Sequence, residues 1–310
     1  MRESPNQSGT PPRWQVAMAF AAVYVIWGST YLGIRLAVET IPPFSMAGSR
    51  ALVAGVLLYG WARGRGAKRP ERIHWREATI VGGFLLLGGN GLLSWAQQQV
   101  PSGVSALIIG SVPLWMVLLE WLWHSGPRPT VGIVFGLVVG FAGLGYLVAP
   151  GGVGDGARVS FSGVAALLLA AFFWAIGSLY SRRARLPASQ LLGAAMEMIG
   201  GGVLLLATGA ALGEWKHFEF ARVTMHSAIA WIYLTTFGSL VGFTAYVWLL
   251  KATTTARVST YAYVNPVIAV FLGWALANEP IAPRTLFAAL AIILALVIIV
   301  TRSKEVPSET

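Results

Sequence analysis

The stretch FFWAIGSLYSRR (172–183) is an altered copy of YVIWGSTYLGIR (24–35), and reading the two as equivalents decides the fold. The core of the match is GSLY (177–180) against GSTY (28–31), with a tryptophan shortly before each. Further along, RALVAGVLL (50–58) lines up with EMIGGGVLL (197–205), and Gly89, Trp95 and Pro113 fall on Gly242, Trp248 and Pro266. The matches keep their order along the chain, so the two halves are read as copies of one unit.

The unit belongs in a membrane. Of 310 residues, 56% are hydrophobic and 11% charged, whereas soluble domains carry roughly 25% charged residues. Apolar stretches approaching the roughly 20 residues needed to cross a bilayer recur from Val16 to Thr301. Cutting at charges, prolines and polar clusters gives ten spans: 14–34, 43–62, 78–96, 102–123, 130–149, 161–180, 188–211, 227–250, 257–277 and 283–301. The expected fold class is therefore all-α and integral to the membrane. A polar tail (1–13) precedes a first five-helix unit (14–149); a second unit (161–301) is followed by a tail at 302–310. The first span is too long for a signal-peptide core and reads as uncleaved.

The absence of cysteine excludes disulfides and thiolate chemistry, and 36 glycines favour close helix packing. A net charge of +10 raises the question of nucleic acid, but the basic residues sit in short loops, where they act as topology signals, so no nucleic-acid partner is expected. Arg63, Arg65, Lys68, Arg69, Arg72 and Arg76, and again Arg182, Arg183 and Arg185, gather on the side of the N-terminus. The expectation is that both termini are cytoplasmic.

Five spans per unit is an odd number, so the second unit enters from the opposite side. Inverted repeats of this kind are typical of secondary transporters, whose halves can rock about a site between them. The sequence also resembles the EamA-domain exporters of the drug/metabolite transporter superfamily, in particular YedA-like bacterial members. The resemblance covers about 14–301 and is carried by the two opening stretches with PPFSMAGSR (42–50), GNGLLSWAQQQVPSG (89–103), VPLW (112–115), GAAMEM (193–198) and STYAYVNPVIAVFLGW (259–274). It implies two EamA repeats, a bacterial inner-membrane location, export of small metabolites, and a central cavity built from spans 1–4 and 6–9 with spans 5 and 10 outside it.

Candidate cavity residues follow from polarity in apolar helices. Tyr261 and Asn265 share a helix face one turn apart, and Asn90 and Ser94 begin an i, i+4, i+7 stripe ending at Gln97. Trp27, Thr30 and Tyr31 in span 1, with Trp174 and Ser178 in span 6, form the repeated aromatic element, and Trp115 closes VPLW. Each has a structural reading beside it: aromatic belts for the rings, interhelical hydrogen bonds for the polar groups. Pro113 and Pro266 occupy equivalent places and are expected to interrupt helices by freeing the carbonyls of Ile109 and Ala262. Gly132, Gly136 and Gly140 offer a face for close packing, within the chain or between protomers; a monomer and an oligomer are equally consistent with it.

Two charges stand inside spans, where each costs about 2.5–3.5 kcal/mol on insertion scales. Arg50 and Glu197 are repeat mates, and the expectation is an intramembrane charge pair, structural or coupled to transport. No metal site and no cofactor are expected: the four histidines fall in or beside loops without ligand spacing. No GxxxxGK[ST] stretch points to a built-in ATPase, and no histidine within a span accompanies the serines as a base. The function so read is non-enzymatic: alternating-access export of small amphiphilic or amino-acid-like compounds or drugs, with the lipid bilayer and a small-molecule substrate as partners. A channel-like pathway is the alternative, and an intramembrane hydrolase the remote one.

Overall fold

The computed structural model describes residues 12–124, 130–148, 160–253 and 260–303, and these are all helix and connection, without a strand. The N-terminal tail up to residue 11 and the C-terminal tail from 304 lie outside the described residues.

The first half runs α1 (Arg13–Ala37), α2 (Pro43–Gly64), α3 (Arg72–Gly82), α4 (Leu92–Ala96), α5 (Ser102–Ile109), α6 (Val112–His124) and α7 (Val131–Val148). The second runs α8 (Phe161–Ser181), α9 (Gln190–Ala211), the short α10 (Glu214–His217), α11 (Met225–Tyr233), α12 (Phe243–Ala252), α13 (Tyr261–Ala277) and α14 (Pro283–Ser303). Among the described residues, six rods are long and apolar enough to cross a membrane: Arg13–Ala37, Arg72–Ala96, Ser102–Leu122, Phe161–Ser181, Gln190–Ala211 and Met225–Tyr246. Val131–Leu147, Val264–Ala277 and Pro283–Ile298 are shorter apolar helices. The outer surface is apolar too: Val134, Phe135 and Val138 of α7 and Phe287, Leu290 and Leu294 of α14 are exposed.

Two features break regular helix. Between α3 and α4 the chain winds as a π-helix at Gly83–Gly91, and between α11 and α12 it does so again at Leu234–Gly242. Wider i→i+5 turns of this length are rare and tend to mark functional sites. The two prolines behave differently from one another. Span 4 is broken at Gly110–Ser111, just before Pro113, and Ser111 Oγ donates to the Ile108 carbonyl at 2.6 Å. Pro266 sits inside the continuous helix α13, so the expected interruption there takes the milder form of a missing backbone donor.

Packing joins the halves through equivalent helices. α2 runs antiparallel to α9, with Gly48 against Leu205 and Leu206, and Gly55 against Met198. α7 and α14 pair in the same way: Gly140 meets Ala295 and Leu114, and Gly143 meets Ala291. Gly140 of the α7 glycine stripe is thus taken up by the chain's own packing. α5 packs on α13, where Gly103 faces Val270 and Gly110 faces Pro266.

Candidate functional site

Glycine lets α1 and the second π segment, and α8 and the first, come close enough to form a central cavity. A Cβ on Gly242 would stand 2.7 Å from the Trp27 indole nitrogen, and one on Gly89 would stand 2.7 Å from the Trp174 ring. Each tryptophan is therefore seated on a glycine of the other half's π segment, and the two glycines are the ones that align in the sequence. Trp27 Nε1 also donates to the Gly238 carbonyl at 3.3 Å.

The cavity between these walls is lined by Trp27, Thr30 and Tyr31 of α1, Arg50 of α2, Asn90 of the first π segment, Trp174 of α8, Met198 of α9, Ser239 of the second, and Tyr261, Asn265 and Pro266 of α13, among others. Among the described residues, none of α7 or α14 lines it. The ring of Trp27 meets Tyr261 edge-on at 5.2 Å and Tyr246 at 4.9 Å, and Tyr246 meets Tyr261 at 6.0 Å. Some polar groups there are already engaged. Thr30 Oγ1 donates to the Trp27 carbonyl at 2.6 Å. The Asn265 amide nitrogen, in the orientation that satisfies its neighbours, donates to the carbonyls of Tyr24 (3.1 Å) and Tyr261 (3.2 Å), fastening α1 to α13.

Three expected cavity residues lie elsewhere. Ser94 is fully buried but away from the cavity, because the π turns through Gly91 shift the helical phase and take it off the face of Asn90. Trp115 packs edge-on against Phe141 and Phe172, at 5.1 and 5.5 Å, behind the break in span 4. Ser178 turns back on its own helix, donating to the Trp174 carbonyl at 2.7 Å. Pro113 is likewise outside the lining, although its neighbour Val112 contributes to it.

The expected pair of Arg50 and Glu197 is not a direct one: the described residues contain no ion pair between them. Arg50 is 8% exposed and donates instead to Ser239 Oγ, at 3.3 Å, and to Asn90 Oδ1, so it bridges the two π segments. Glu197 belongs to a part of α9 packed on α3, where its carbonyl lies against Gly82, and it is not among the lining residues. Positions that align in sequence need not meet in space: Arg50 turns to Asn90 and Ser239 instead.

Two residues missed by sequence reasoning fasten the end of the bundle at which α2 and α5 begin. Glu214 accepts from Phe44 N (3.0 Å), Ser45 N (2.8 Å) and Ser45 Oγ (2.6 Å) at the start of α2. Glu279 accepts from Ser102 N (2.8 Å), Ser102 Oγ (3.0 Å) and Gly103 N (3.1 Å) at the start of α5. In each case a residue in the left-handed region, Gly213 (φ 80) or Asn278 (φ 52), ends the preceding helix and turns the carboxylate inward. Gly209 and Gly273 leave the room it needs. The available signal was a glutamate directly after a helix-ending Gly or Asn, repeated in two loops of the second half.

The described residues hold no cluster of three or more His, Cys, Asp or Glu that could bind a metal.

Comparison with known proteins supplies the family. The model of the EamA-like transporter family matches residues 14–149 and 161–301. The Escherichia coli (strain K12) protein named "Uncharacterized inner membrane transporter YedA" is 36% identical over 287 residues, covering 92% of this chain and 90% of its own. The Bacillus subtilis (strain 168) "Uncharacterized transporter YvbV" is 25% identical over 294 residues, with 94% of each chain covered. One protein crystal structure superimposes with a TM-score of 0.63 at 20% identity, over 96% of this chain and 100% of its own, a likeness of fold.

Proposed function

The chain belongs to the EamA-like transporter family and is a YedA-like membrane transporter, and from that premise we propose that it exports small organic metabolites across the cytoplasmic membrane by alternating access. In this reading ten spans form two five-helix repeats of opposite topology, with both termini in the cytoplasm. The observation that carries it is the cavity at the seam: Trp27 on Gly242 and Trp174 on Gly89 make two equivalent walls, each built from both halves. Rocking one half against the other would widen one end of such a seam while narrowing the other.

Reconstitution into liposomes tests the reading. Vesicles preloaded with a mixture of small metabolites are expected to exchange a subset with external label, and the exchange is expected to saturate. Flux that rises linearly without saturation, or none for any compound, would remove the carrier. Orientation is checked separately, since the chain lacks cysteine. A cysteine placed at Arg65 is expected to react with an impermeant maleimide only from the cytoplasmic side, and one at Gln98 only from the other.

A further inference from the structure

Among the described residues, Arg50 is the only charged side chain lining the central cavity. No carboxylate forms an ion pair with it among the described residues, and none lines the cavity. A guanidinium has five N–H donors. Two bonds are made, to Ser239 Oγ and Asn90 Oδ1, while the buried Nε has no partner. Three of the five N–H donors are thus left without an acceptor, and a carboxylate that settles against the fork can accept from two of them, the guanidinium turning from its present bonds to meet it. The rest of the lining suits the remainder of such a molecule, because Trp27, Trp174 and Tyr261 present rings and Met198 an adaptable apolar chain.

We propose that the cavity selects small organic anions, in which one carboxylate docks on Arg50 and an apolar, preferably aromatic, body lies between the rings. The proposal rests on the transporter reading and names its substrate class. It departs from the neutral or zwitterionic compounds that Trp, Tyr, Asn and Ser alone would favour, because a second charge of positive sign on the ligand would find no acid in the lining to answer it. A bare structural tie between the π segments is the competing account of Arg50: it needs the bonds to Asn90 and Ser239 and predicts no preference for ligand charge.

Calorimetric titration of the purified protein in detergent separates the two, using three probes of one shape: 3-phenylpropionate, 3-phenylpropanamide and phenethylammonium. The anion is expected to bind at least about tenfold more tightly than the amide, the fold-change of a bond to a charged group worth about 1.4 kcal/mol, and the cation to bind most weakly. Arg50→Gln is expected to bring anion and amide within about twofold of one another, and Arg50→Lys to keep part of the preference, losing the two-point geometry. Equal affinity for anion and amide, preference for the cation, or no heat from the anion at millimolar concentration would each overturn the proposal. So would a preference for the anion that survives in Arg50→Gln. If that variant does not fold, the three-probe comparison on the unaltered protein still decides. Anion binding without liposome exchange would leave this site standing and remove the carrier, whereas saturable exchange confined to cations would do the reverse.

Discussion

Where α9 and α13 end, Glu214 and Glu279 reach from the second half into the first and hold the starts of α2 and α5 with three hydrogen bonds each. Toward the opposite end the halves meet through rings, Trp27 against Tyr246 and Tyr261, and through the hydroxyl pair of Tyr24 and Thr260 at 2.6 Å; beyond them Tyr180 Oη donates to Glu77 at 2.6 Å, and the exposed Arg182 and Glu120 pair at 3.5 Å, but neither carboxylate holds a helix start. The difference lies in how the energy depends on displacement. A carboxylate on a helix N-terminus is bound by short, directed bonds and by the helix dipole, and both are lost within a small movement. Ring contacts tolerate sliding between tilted and edge-on arrangements at small cost. Under the proposed alternating access, the carboxylates on the two helix starts act as a latch and the ring contacts as a bearing.

The largest expected effect breaks the latch. Replacing both Glu214 and Glu279 by alanine removes six acceptor contacts and strands backbone donors at two helix starts. Each site is expected to lose about 2–4 kcal/mol, and the losses should add, since the sites share no partner. Thermal unfolding in detergent checks this. The double glutamine variant should recover part of the loss, because an amide keeps one acceptor oxygen but not the charge. If alanine at both positions leaves the melting temperature unchanged, the latch is decorative.

A middle-sized effect sharpens the bearing. Trp27→Ala removes two ring contacts worth about 0.5–1.5 kcal/mol each, for a loss of about 1–3 kcal/mol. Trp27→Phe should cost less, because a ring still faces Tyr261, although the Nε1 bond to the Gly238 carbonyl is gone. Comparing the two by the same melt separates ring stacking from that hydrogen bond. Should Phe cost as much as Ala, the single directed bond carries the contact, and the two ends differ less than their geometry indicates.

Why the halves were legible and the fastenings were not follows from where the information sits. Scarce charge and ordered matches such as GSTY with GSLY place helices by local composition, and the helices α1, α2, α8 and α9 begin and end within a few residues of the spans read from it. The latches depend on residues far apart in sequence: Glu214 finds Ser45, and no local pattern announces a partner in the other half. The π segments are hidden for a related reason. Gly83–Gly91 reads as an ordinary glycine-rich stretch of an apolar helix, yet its wider turns decide that Asn90 faces the cavity and Ser94 does not. Proline equivalence was visible, but the neighbours differ. Gly110 and Ser111 precede Pro113 and allow a break, whereas Val264 and Asn265 precede Pro266, and Asn265 is tied to the carbonyls of Tyr24 and Tyr261.

The smallest effect tests how strongly one neutral bond pins the ring-lined contact. Tyr24→Phe deletes the 2.6 Å bond to Thr260 and leaves the ring, which lies 5.6 Å from Phe20, in place. By length alone this bond rivals those of Glu214. It joins two neutral groups, however, and side-chain hydrogen bonds between membrane helices average about 0.6 kcal/mol because the separated helices find other partners. The expected loss is therefore under about 1 kcal/mol, a shift in melting temperature near the limit of measurement. If Tyr24→Phe instead costs as much as losing one of the carboxylates, charge is not what distinguishes the two ends. The seam would then be pinned at both, and rocking about it would need the Tyr24–Thr260 bond to break in every cycle.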